Sequence, residues 1–249
     1  VQRRGGKQRP TPPGPAPVSR RGGSERRPHG GGVYPAPGWG PWRGAPLFLS
    51  YGKGLLYGMM WGNVDDTAQA ALVPFDLKIH SGVMRARFNP RDGQLYLCGL
   101  KGWQCAATRD GGFYRVRHTG RPVYQPVAVR TAADGVTLTF GVELDAETAA
   151  DTGSFAVEMW NYRYSGHYGS PDLSVREPGK EGRDKLEVKS ARLLPDRKSV
   201  FLELDGLEPC DQWSVRFNLD AADGTAMRSE VIGTLHKLRP AGPRVAAVP

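Results

Sequence analysis

From Leu47 onward the chain alternates short apolar runs with turn residues. The runs are Leu47–Leu49, Leu55–Met60, Ala71–Phe75, Val83–Phe88, Leu95–Cys98 and Phe113–Val116. Between them lie Gly52-Lys53-Gly54, Asn89-Pro90-Arg91-Asp92-Gly93 and Asp110-Gly111-Gly112. Apolar residues at every second position set one face of a strand against a core and the other in water. Within Val83–Phe88 the alternation places Met84, Ala86 and Phe88 on one face and Val83, Arg85 and Arg87 on the other. Strands recurring every ~10 residues predict a sandwich, a barrel or a propeller.

A second β region runs from Val127 to Leu238. Val136, Leu138 and Phe140 share a face, as do Phe155, Val157 and Met159, then Val200, Leu202 and Leu204, then Val215, Phe217 and Leu219. Ala133-Asp134-Gly135, Pro195-Asp196, Asp205-Gly206 and Ala222-Asp223-Gly224 supply the turns. About seven strands in about 110 residues is the size of an immunoglobulin-like or fibronectin-type sandwich. Leu144–Ala150 reads as one helical turn, and Pro122–Pro126 as the join between the two β regions.

Composition changes the picture only at the N-terminus. Residues 1–45 hold 11 Gly and 9 Pro, with Arg pairs at 3–4, 20–21 and 26–27, which predicts a disordered tail. They carry nine Lys or Arg against one acid, Glu25, whereas the rest of the chain carries 25 bases against 24 acids. The formal charge of +9 therefore belongs mostly to the tail. Arg4-Gly5-Gly6 and Arg21-Gly22-Gly23 invite an RNA-binding reading, but they lack interleaved aromatics and nucleic acid is not the expected partner. No stretch approaches the ~18 apolar residues of a membrane-spanning helix. The chain starts at Val1 without a signal peptide after it, so it reads as processed or as a piece of something longer.

The chemistry-bearing residues are sparse. No two of His29, His80, His118, His167 and His236 sit at metal-ligand spacing. Asp65-Asp66 could offer oxygens to calcium, but without an EF-hand-like pattern a solvated turn is the expectation. No serine sits in a nucleophile elbow, and Gly52-Lys53-Gly54 lacks the spacing of a phosphate loop. Cys98, Cys105 and Cys210 form no CxxC pair; Cys98 and Cys105 are either a disulfide across two strands or buried free thiols. No residue is assigned a catalytic or metal-binding role.

Two motifs stand out as binding or interface candidates. In Gly99-Leu100-Lys101-Gly102-Trp103-Gln104, glycines allow a tight turn and Trp103 can pack on the sheet face or meet a ligand. Trp160, Tyr162, Tyr164, His167 and Tyr168 form the densest aromatic cluster. Strand alternation puts Trp160, Tyr162 and Tyr164 opposite the inward Phe155, Val157 and Met159, hence outward. Such a face is expected to be covered by the region around Trp103 or by another domain, or else to stack on sugars.

The runs MRARFNPRDGQLYLCGLKGWQ (84–104) and TRDGGFYRVRHTGRPV (108–123) resemble the last propeller blade of large secreted bacterial proteins of the sorbosone-type or membrane-bound sugar dehydrogenase kind. LSYGKGLLY (49–57) is similar to the preceding blade, and VEMWNYRYSGHYGSP (157–171) and VKSARLLPDRKSVFLEL (188–204) to the sandwich that follows. The resemblance spans residues 47–238. It implies partial propeller blades over 46–123, an immunoglobulin-like sandwich over 124–238, a short tail over 239–249, and a periplasmic or extracellular location. It implies haem c or pyrroloquinoline quinone in a full-length parent, but CxxCH is absent and this chain offers no cofactor cradle of its own. The resulting expectation is a non-catalytic C-terminal part of an oxidoreductase-like protein that packs against the missing blades. A carbohydrate-binding module and nucleic-acid binding through the basic tail are the alternatives.

Overall fold

Each apolar run of the sequence becomes a hydrogen-bonded strand in the computed structural model, which describes residues 32–33, 38–166 and 169–242. The strands are β1 (Gly32–Val33), β2 (Leu47–Ser50), β3 (Leu55–Val64), β4 (Thr67–Pro74), β5 (Gly82–Phe88), β6 (Leu95–Leu100), β7 (Gly111–Val116), β8 (Pro126–Ala132) and β9 (Gly135–Phe140). After helix α1 (Ala146–Ala150) come β10 (Phe155–Trp160), β11 (Asp184–Leu186), β12 (Val188–Leu193), β13 (Ser199–Leu204), β14 (Cys210–Asp220) and β15 (Ala226–Leu235). They form three antiparallel sheets, none closed: β1-β2-β3-β4-β15-β14-β10-β11, β12-β13-β9-β8 and β5-β6-β7. Among the described residues no helix is long and apolar enough to cross a membrane.

The largest core lies between β12-β13-β9-β8 and the β15-β14-β10-β11 half of the long sheet. Val136, Leu138 and Phe140 meet Val157, Met159, Val215, Phe217 and Leu219 there, with Phe140 edge-on to Phe217 at 5.3 Å. The period-two faces read from the sequence are thus the faces that meet. Helix α1 is short and starts where Asp145 accepts a hydrogen bond from the Thr148 N–H at 2.9 Å, an N-cap that satisfies one orphan donor.

The expected boundary at 123/124 does not divide the cores. β4 pairs with β15, Leu72 opposite Ile232 and Ala71 opposite Gly233, so one sheet runs through both β regions. Trp42, Met60, Ala71 and Val73 pack in the same core as Val136 and Val215. A second, smaller core holds Trp39, Leu47, Leu56, Val83, Ala86, Leu95 and Leu97, where β5-β6-β7 lies against β2 and β3.

Two further expectations are corrected. Residues 1–31 and 34–37 of the expected tail lie outside the described residues, but 38–45 are built into the fold. Trp39 and Trp42 flank a 3-10 turn, Gly40–Trp42, and go one into each core. Trp39 donates to the Gly93 carbonyl at 3.0 Å and meets Phe88 edge-on at 5.1 Å, while Trp42 packs on Phe75 at 5.3 Å. Any side chain at Gly58 would collide with the Trp42 ring, so the missing side chain in β3 is the socket for that indole. The second correction concerns β5. A bulge between Val83 and Arg85 shifts the register there, so Val83 is buried and Met84 exposed, the reverse of simple alternation.

Candidate functional site

Trp160 does not face solvent. The alternation of β10 holds, with Phe155, Val157 and Met159 in the core and Trp160 on the opposite face, yet Trp160 is only 6% exposed. The Arg183 guanidinium covers it, lying over the indole 3.8 Å from the ring centroid. Arg183 is fixed there by Asp172 at 2.7 Å and Glu158 at 3.4 Å, and Glu158 also takes Arg216 at 3.3 Å. Strand β10 then ends at Trp160, so Tyr162 and Tyr164 belong to a loop and not to its face. They are 45% and 88% exposed. His167 and Tyr168 lie outside the described residues.

That loop, between β10 and β11, has little regular structure but is tied down at several points. Asn161 and Leu173 exchange two backbone hydrogen bonds at 2.7 and 2.8 Å. Asp211 ties the start of the loop twice: its N–H donates to the Asn161 side-chain oxygen at 2.9 Å, and its carboxylate accepts from the Tyr162 N–H at 3.1 Å. Asp184 accepts from the Ser174 hydroxyl and from the N–H groups of Val175 and Arg176 at 2.8, 2.6 and 3.1 Å. Burial works to raise its pKa, but the Ser174 hydroxyl and the two N–H donors outweigh it and hold the carboxyl below its ordinary value. The loop thus presents Tyr162 and Tyr164 from a braced frame, the kind of display that suits ligand contact.

Trp103 is 72% exposed at the turn after β6, and its carbonyl accepts from Tyr51 at 3.5 Å. The first glycine of its motif, expected to allow a tight turn, instead sits inside β6 and serves strand packing. A side chain at Gly99 would strike the Gly82 carbonyl of β5, so the two strands close up only because Gly99 lacks one. Beside this turn lies the outward face of β5-β6-β7, which the sequence reading did not single out. It carries Phe113, 73% exposed, stacked on Tyr96 at 5.7 Å, with Leu100 beyond. Alternation alone places Arg85 and Arg87 on one face of β5, but their pairing with Tyr96 and Phe113 needs the sheet register.

Cys98, Cys105 and Cys210 are free thiols, but of the expected buried pair Cys98 is exposed and Cys105 half-buried, donating to the Tyr51 carbonyl at 3.2 Å. Burial pushes the Cys210 thiol up to about 12, so it stays protonated and inert. Asp65, at the β3–β4 turn, pairs with Lys237 at 2.6 Å, and that bond holds its carboxyl below the ordinary range. Among the described residues no group of three His, Cys, Asp or Glu side chains converges. A small pocket of about 30 Å³ lined by Trp61, Gln69, Thr131, Trp213 and Arg239 lies where β4 meets β15. The chain matches no family model, no curated protein and no solved structure.

Proposed function

We propose that this chain is the non-catalytic C-terminal part of a secreted, propeller-type, sugar dehydrogenase-like protein, and that it serves to pack and brace that protein's domains. The observation that carries the reading is the continuous sheet: β4 bonded to β15, with Trp42 of the first β region set in the core of the second. In this reading β2–β7 are terminal blades. β8–β15 form an immunoglobulin-like sandwich, for which the strand order β8-β9-β13-β12 against β15-β14-β10-β11 is the support. A propeller end mounted rigidly on a sandwich transmits position, which is a scaffold's task and needs no acid, base or metal. Haem c or pyrroloquinoline quinone belongs, in the same reading, to the parent protein.

The test has two arms. The purified chain, given aldoses and an artificial electron acceptor with and without pyrroloquinoline quinone, is expected to show no turnover. The reading frame upstream of Val1 is expected to encode further blades. Turnover, or an upstream frame without β repeats, overturns the proposal. A second reading, carbohydrate binding, is favoured by the braced display of Tyr162 and Tyr164. It requires glycan-array binding by the chain that Tyr164→Ala removes.

A further inference from the structure

The β5-β6-β7 sheet has two faces of unequal finish. Its inward side chains, Val83, Ala86, Leu95 and Leu97, are buried against β2 and β3. Its outward side chains are set by register: Arg85, Cys98 and Phe113 form one cross-strand row, and Arg87, Tyr96 and Arg115 the next. Neighbouring strands lie ~4.8 Å apart, so Tyr96 stands between two arginines, one on each adjacent strand. Phe113, at 73%, and Leu100, at 44%, are exposed large apolar side chains.

The three arginines have no acid of their own. Among the described residues no carboxylate lies within ion-pair distance of Arg85, Arg87 or Arg115. Arg85 and Arg87 donate only to the carbonyls of Met84 and Ala86 on their own strand, at 2.9 and 2.7 Å. Asp92, which Arg115 influences at a distance, is already taken by the Tyr96 hydroxyl at 2.8 Å and the Gln94 N–H at 2.9 Å. The imbalance extends beyond the face: residues 46–123 carry ten bases against five acids, while 124–249 carry fifteen against nineteen.

Charge restricts what covers this face. The same face of a second copy would set arginine against arginine. Residues 1–31 hold eight bases and one acid, so they repel it too. The geometry points to an acidic, apolar-centred β-sheet surface as the partner: carboxylates opposite Arg85, Arg87 and Arg115, apolar side chains over Phe113, Tyr96 and Leu100. Resting on the proposed function, that surface is a neighbouring blade of the same protein. Arginine, tyrosine and phenylalanine around an apolar centre are what interface cores favour, and guanidinium forks bind carboxylates bidentately.

The test compares two proteins: the 249-residue chain and the longer product that the proposed function places upstream of Val1. Each receives the triple change Arg85→Glu, Arg87→Glu, Arg115→Glu and, separately, Phe113→Thr, which keeps strand propensity. The longer product is expected to lose roughly 5 °C or more of Tm with either change, and the 249-residue chain ~1 °C or less, because only the former has the partner surface. Equal losses in both proteins, or loss in neither, overturn the acidic-partner inference and leave the scaffold reading standing. An upstream frame without blades overturns both. Salt-dependent binding of an oligothymidine by the chain, lost in the triple variant, makes the face a nucleic-acid surface and overturns the inference as well.

Discussion

The two cores of this protein are finished differently. In the β8–β15 region, charged side chains outside the core pair with one another: Arg183 with Asp172 and Glu158, Lys189 with Asp205, Arg197 with Glu143. The β5-β6-β7 layer instead turns Phe113, Leu100 and three arginines to the outside, none of the three with a carboxylate in ion-pair distance among the described residues. The first region pairs these charges internally and exposes Tyr162 and Tyr164 on one loop; the second stops with a surface that suits a neighbour. The β4–β15 pairing, Leu72 with Ile232 and Ala71 with Gly233, and the packing of Trp42, Met60 and Val73 join the two β regions, and Trp39 and Trp42, on one turn, tie the smaller core to the larger.

The strongest way to break this comparison is to pull the tie. Trp42→Ala removes a 2%-exposed indole and is expected to cost about 3–5 kcal/mol. If the two cores form one cooperative unit, urea unfolding followed by tryptophan fluorescence and by circular dichroism keeps a single shared midpoint, shifted down. Separate midpoints already present in the unsubstituted chain would show that the tie is nominal.

Trp160→Ala comes next, at about 3 kcal/mol, since the indole is buried and Arg183 would lose its ring partner. A change under 0.5 kcal/mol in the same unfolding experiment would return Trp160 to the class of exposed interface residues.

Asp184→Ala is expected to cost about 1–3 kcal/mol by leaving the Val175 and Arg176 N–H groups and the Ser174 hydroxyl without their acceptor. Its folded pKa lies below the ordinary 3.8, so its contribution is fully present above that value and is lost as the pH falls through the folded pKa. The gap between the parent chain and Asp184→Ala should therefore be constant from about pH 7 to pH 5 and narrow below pH 4. A gap that widens on acidification contradicts the assigned hydrogen bonds.

The smallest effect belongs to Tyr164→Ala, within about 0.5 kcal/mol, because an 88%-exposed ring buries little. A larger loss would mean that the tyrosine loop is part of the frame and not a display upon it.

Local pattern fixed a good deal of this protein by itself. The period-two faces of β9, β10, β13 and β14 follow from side-chain alternation alone, and the turns between them from Gly, Asp and Pro. The helical turn after Asp145 was legible for the same reason, since a cap is a local interaction. Other features depend on residues far apart in sequence. The bulge that exchanges Val83 and Met84 arises from pairing β5 with β6. The fate of Trp39 and Trp42, in a Gly- and Pro-rich stretch, depends on the socket at Gly58 and on the Gly93 carbonyl. Burial of Trp160 depends on an arginine 23 positions later. Alternation tells which way a side chain points along its strand, but not what stands in front of it. Cover, pairing and exposure are decided when distant segments meet, and on this chain that decides which aromatic residues are braced inside and which remain for a partner.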